Sequence, residues 1–163
     1  MSAQRSPVVE GAGARAPSEI GRIRVAGVTT RRAGREVEVE VELGAGAIRA
    51  QGRATGPNTR FEARRVVGRA ALEALRNLVE GDLSLSLGEM GERSLGSRKV
   101  LLACVIRSED RAETGFLGSC EVGHEPEQAV VHAILDAVAG WVGTLRPREP
   151  VEWVIGPASD PGR

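Results

Sequence analysis

The sequence predicts an α+β fold of two βββα units, each an antiparallel meander covered by one helix, behind a disordered N-terminal leader. Three observations carry this: apolar and acidic residues alternate strictly from Glu36 to Leu43, two helix-period stretches each follow a start signal, and elements of different type recur at one offset. The divisions are a leader over 1–18, a first unit over 19–80, a second over 81–145 and a tail over 146–163.

Residues 1–18 are Ala-, Gly-, Ser- and Pro-rich without period and read as disordered. Ile20–Thr29 reads as the first strand, and Arg31–Arg35 as the turn after it. Val37, Val39, Val41 and Leu43 then share one face, with Glu36, Glu38, Glu40 and Glu42 on the other, so one side of this strand is buried and the other wet. Gly44-Ala45-Gly46 turns the chain into a third strand, Ala47–Ala54. After the loop Thr55–Asn58, the spacing of Thr59 and Glu62 is that of a capping box, which starts a helix running to Val79.

In the second unit the strands are Asp82–Leu87, Lys99–Ile106 and Thr114–Val122, with Gly88–Arg98 read as a turn. Pro126 suits the first position of a second helix, which ends near Val142 before Gly143. In the tail, Val151–Ile155 is apolar enough to add an edge strand or cover a hydrophobic patch. An offset of 63 lays Val37, Val39, Val41 and Leu43 on Val100, Leu102, Cys104 and Ile106, and Ala70–Leu75 on Ala133–Val138. That coincidence argues for internal duplication. Val100–Ile106 is apolar in both directions and reads as buried on both faces, covered by the other unit, the Trp153 segment or a second subunit.

With 41% hydrophobic and 27% charged residues, the chain has the balance of a protein that buries a core. Two Phe, two Trp and no Tyr leave few aromatic faces for stacking bases. No apolar run approaches the ~18 residues of a membrane-spanning helix, and no signal-like segment opens the chain. The expectation is a cytoplasmic protein in which Cys104 and Cys120 are buried thiols, a redox or nucleophilic pair being the other reading. Residues 1–80 hold 14 Arg against 9 acids and residues 81–163 hold 8 basic against 13 acidic residues. This asymmetry suits attraction between the halves or within a dimer, or an anion-binding first half.

No phosphate-binding, dinucleotide-binding, zinc or nucleophile-elbow motif is present, so no cofactor or metal and no catalytic residue is assigned. The strand-to-helix junctions are the candidate binding sites, because free amides and the helix dipole there favour an anion. Gly56, Asn58, Thr59, Arg60 and Arg64 form the better candidate; Gly123, His124 and Glu125 form the second. The arginines of the first helix suit either a phosphate grip or a solvated face. His124, His132 and Asp136 are the groups a small enzyme would use.

Two resemblances follow from these residues. The βββα order with Gly52–Leu75 and Gly118–Val138 resembles the C-terminal regulatory and dimerisation domain of 2-isopropylmalate synthase over residues 20–142. It implies a homodimer that senses a small molecule, without the catalytic barrel. Glu36–Leu75 resembles the later part of a double-stranded-RNA-binding domain, Thr59–Arg64 standing where that family has a basic motif, which implies phosphate contacts from Arg60 and Arg64. The function expected is therefore a non-enzymatic regulatory or scaffold module that binds a small ligand or a protein partner as a homodimer. An RNA-binding protein and a small enzyme are the alternatives.

Overall fold

The computed structural model describes residues 23–149; the predicted leader and the Val151–Ile155 segment lie outside them. In chain order come β1 (Arg24–Ala33), β2 (Glu36–Ala45), β3 (Ile48–Pro57), α1 (Arg60–Leu78), β4 (Leu85–Leu95), β5 (Arg98–Glu109), β6 (Ala112–Glu121) and α2 (Pro126–Val142). The strands form two separate antiparallel sheets, β1-β2-β3 and β4-β5-β6. All four hairpins close through two residues of which the first has positive φ: Gly34, Gly46, Gly96 and, at the fourth, Asp110.

Each helix lies on the inner face of its own sheet, the helices touch each other, and each reaches the first strand of the other unit. The apolar faces of both units therefore merge into one core, in which Leu43, Leu75, Leu101 and Ile134 are fully buried. At one end of that core Phe116 stacks on Trp141 with centroids 6.1 Å apart, and the Arg107 guanidinium lies 4.7 Å over the Trp141 ring. The aromatic faces thus hold the cation where its buried Nε has no hydrogen-bond partner.

The duplication is real, but the offset differs by element. Gly52 pairs with Val41 and Gly118 with Ala103, and each glycine presses on two helix residues, Ala70 and Ala74 in one unit and Ala133 and Ala137 in the other. The offset is thus 62 along the middle strands, 66 along the third and 63 along the helices. Applying 63 to the middle strand lays the buried face of β2 on the outer face of β5. The second hairpin is two residues longer on each strand, which accounts for the drift. The first strands repeat even a defect: Val25 to Val28 spans three residues against two from Leu43 to Val41, and Leu87 to Met90 does so against Val105 to Ala103.

That bulge also explains a misreading. Gly88–Arg98, expected as a turn, is mostly strand β4, because the bulge breaks its alternation and Gly88 and Gly91 sit inside the sheet. Arg31 and Arg32, also expected in a turn, complete β1, and Gly56 and Pro57 extend β3. A second correction concerns β5. Leu101, Ala103 and Val105 are buried, whereas Val100, Leu102, Cys104 and Ile106 face outward and are only half-buried; neither the first unit nor either helix covers them. From the tail, Pro147 bridges to Val79, and Arg148 N–H donates to the Leu78 carbonyl at 2.8 Å, tying the end of the described chain to the end of α1.

Candidate functional site

The N-termini of both helices open on one cleft of about 440 Å³ between the units. At α1, Thr59 Oγ1 accepts from the Glu62 N–H at 3.3 Å, the first half of the predicted capping box. Asn58 fixes the approach: its N–H donates to the Arg35 carbonyl at 2.8 Å and its side-chain amide to the Gly34 carbonyl at 3.3 Å. These bonds hold the junction against the β1–β2 turn. Arg60, Ala63, Arg64 and Val67 of α1 form one wall, Thr30 and Arg32 of β1 another, and Pro126 and Glu127 of α2 the third. Arg32 and Glu127 join across the units at 3.2 Å.

The structure therefore brings Asn58, Thr59, Arg60 and Arg64 together, and among the other lining residues are Arg32, Pro126 and Glu127, which local reading did not place there. From sequence, Arg32 reads as part of a turn, Pro126 as a helix start, and Glu127 as a titratable group beside His124 and Glu125 at the start of the second helix. Gly56 does not line the cleft. It lies in β3 against α1, where an added Cβ would come within 2.7 Å of Val66 Cγ2 and Arg69 Nη2, so its absent side chain sets strand–helix spacing. Gly123, His124 and Glu125 are exposed outside the cleft, and Glu125 caps α2 without a side-chain hydrogen bond.

Four of the five arginines of α1 are engaged within the molecule. Nine of its 19 residues are buried, and the guanidiniums mainly latch it to its surroundings. Arg64 pairs with Glu92 of β4 at 2.8 Å, Arg65 donates to the Gly88 carbonyl at 3.0 Å, and Arg69 donates to the Thr55 carbonyl at 3.2 Å. Arg76 bonds to Glu73 at 2.8 Å and also to the carbonyls of Leu83 and Leu85. The bulge carbonyl of Gly88 is thus a docking point for the other unit. Among the described residues, Arg60 alone of the five has no hydrogen bond or ion pair.

The Arg64 guanidinium, chiefly through its hydrogen bond, holds the Glu92 carboxyl below the usual carboxylate range; Lys99, 3.6 Å away, adds to this. Because the folded pKa is lower than the unfolded one, the stabilisation is complete above the ordinary carboxylate range and is lost as pH falls through the folded value. Glu92→Gln is therefore expected to lower Tm at pH 7, with the gap from wild type closing as the pH falls below the ordinary carboxylate range. Melting curves across that range check it; a gap independent of pH would remove this ion pair from the inter-unit latch.

A second cavity, of about 620 Å³, is a groove between α2 and β1 lined by His132 and Asp136 with Arg24. No hydrogen bond links the His132 and Asp136 side chains; Asp136 accepts the Ser119 N–H at 2.9 Å instead, tying α2 to edge strand β6. Its counterpart by duplication is a groove of about 450 Å³ between α1 and β4, where Arg69 and Glu73 occupy the positions of His132 and Asp136. Among the described residues, no cluster of three or more His, Cys, Asp or Glu is placed to hold a metal.

Cys104 and Cys120 are both free and half-buried, so neither is the fully buried thiol expected. They point to opposite faces of their sheet, because Cys104 pairs with Leu117 and Cys120 with Leu101. Burial, with Asp136 and Glu121 nearby, pushes the Cys120 thiol up, away from the reactive thiolate. No helix among the described residues is long and apolar enough to cross a membrane. No protein-family model matches the chain, and no curated protein matches it at a significant level.

Proposed function

We propose that the chain is a non-enzymatic regulatory or scaffold module that binds a small anionic ligand in the cleft between its units and works as a homodimer. The observation that carries the ligand reading is Arg60: alone among the α1 arginines it has no partner among the described residues, and it lines a cleft onto which both helices open. A carboxylate or phosphate there meets a free guanidinium and two positive helix ends. Walls from both units couple occupancy of the cleft to the way the units sit together, which is what a regulatory module needs. A cleft of about 440 Å³ suits a metabolite-sized molecule.

Only Arg60 of the basic pair is free for phosphate, since Arg64 is held by Glu92, and an RNA duplex needs a longer row of open cations. Screening anionic metabolites by thermal shift, followed by calorimetry on the best hit, tests the reading. Arg60→Ala is expected to weaken binding at least tenfold, about 1.4 kcal/mol, with Tm of the free protein unchanged. A hit that binds Arg60→Ala as tightly as wild type would place the ligand elsewhere.

A further inference from the structure

The outer faces of the two sheets are built at equivalent positions and are chemically opposite. On the first sheet Glu38, Glu40 and Glu42 run down the middle strand, and cross-strand partners answer them: Arg53 meets Glu40 at 2.6 Å and Gln51 meets Glu42 at 3.2 Å. On the second sheet the same positions are Val100, Leu102 and Cys104, and those of Arg53 and Gln51 are Ser119 and Leu117. Ile106 continues the stripe, and Leu95 ends it at the β4–β5 turn. Leu117 and Leu95 are 71% and 67% exposed, two of the three large hydrophobic residues that are exposed among the described ones. The first sheet demonstrates that this topology folds with a charged outer face, so the apolar one is not a requirement of the fold. A continuous apolar surface of this kind marks a contact site.

Resting on the reading of the chain as a self-associating module, we infer that this outer face of β4-β5-β6 is the dimer interface and that its occupant is the same face of a second copy. Charge selects that occupant and its direction. On the face at the Leu95 end, Arg98 is paired with Glu121 at 3.4 Å and Arg93 has no acidic partner among the described residues, whereas Glu113 lies at the other end, next to Asp110 in the turn. A two-fold axis running across the strands near Ala103 reverses the second copy, stacks the apolar stripes and sets Arg93 of one copy over the Glu113 end of the other. The chain's formal net charge of zero adds no overall repulsion between copies. Gly91, Gly115 and Ser119 flank the stripe and let the faces approach to the ~10 Å of stacked sheets.

Size sets the strength. Three strands of this length present roughly 500 Å² in projection, from a rise of about 3.3 Å per residue and a spacing of about 4.8 Å. That is below the ~800 Å² per partner of a standard interface. The dimer is therefore expected to be a micromolar, concentration-dependent one. It needs nothing from the cleft, so loss of ligand binding leaves it standing.

The test is sedimentation velocity of the full chain from about 1 to 200 μM, with Leu102→Glu and Leu117→Glu alongside. Leu117 is too exposed for its replacement to disturb folding, and far-UV circular dichroism verifies both variants. Wild type should pass from monomer to dimer, and each variant should stay monomeric at least tenfold further up the range. A short bismaleimide spanning about 10 Å should couple two chains through Cys104, so Cys104→Ser abolishes the cross-link and Cys120→Ser leaves it. A dimer that survives both substitutions overturns this surface while leaving self-association intact. A wild type that remains monomeric throughout overturns both.

Discussion

Val105→Asp is expected to abolish the native fold, whereas Leu102→Asp, three residues away on the same strand, leaves the monomer folded. Val105 is fully buried among the apolar residues of the shared core, with Phe116 directly across the strand pair. A carboxylate there loses its hydration and finds no cation facing it: the nearest on its face of β5 is Arg107, already committed to Glu109 and to the Trp141 ring. Burying such a charge, or forcing it to protonate, costs several kcal/mol, comparable with the 5–15 kcal/mol that holds a domain together. Leu102 is half-buried and points the other way, so a carboxylate there stays wet. Urea denaturation followed by far-UV circular dichroism at low protein concentration separates the two. A cooperative, wild-type-like transition for Val105→Asp, or none for Leu102→Asp, would reverse the assignment of the inner face.

Sequence reading buried both faces of this strand and, by the offset of 63, matched the outer one to the core face of β2; the reason is physical. Alternation reports that a strand has an apolar side; it does not report what lies over it. In β2 the acids mark the wet side, so Val37 to Leu43 could be assigned to the core directly. In Val100–Ile106 both sides are apolar, and the choice depends on where α2 sits, which is tertiary information. The helix starts were legible because caps are local: Thr59 with Glu62, and Pro126 at the first position of α2, act within one turn. Strand β4 was not, because its bulge and glycines imitate a turn while the hydrogen bonds that make it a strand come from β5.

The candidate site divides the same way. Asn58, Thr59 and Arg60 are adjacent in sequence and were found together. The third wall, Pro126 and Glu127, lies more than sixty residues away and arrives only because the helices pack against each other. The arginines of α1 are the reverse case, since their number suggested an anion while their partners, Glu92 and the Gly88 carbonyl, stand in a segment read as a turn.

Gly118→Ala is expected to destabilise the protein by about 3 kcal/mol, near the upper end for overpacking, and Gly52→Ala by a similar amount. An added Cβ at Gly118 would collide with the Ala133 carbonyl oxygen and with the backbone nitrogen and Cα of Ala137; at Gly52 it would collide with the corresponding atoms of Ala70 and Ala74. No rotamer change moves a helix backbone, so the helix must lift off its sheet and loosen the contacts of Ile134 or Leu75 beneath it. Against this, replacing glycine by alanine restricts the unfolded chain and returns only about 0.4–1 kcal/mol, too little to change the sign. Gly115→Ala is the control: there the new methyl would stand 3.6 Å from Cys104 Sγ, an ordinary contact, and stability should hold. Adding Ala137→Gly to Gly118→Ala distinguishes the cause, because it deletes a methyl but leaves all three opposing atoms in place. Chemical denaturation should find no rescue in the double variant. Recovery would mean that the helix side chain, and not its backbone, sets the distance between strand and helix in both units.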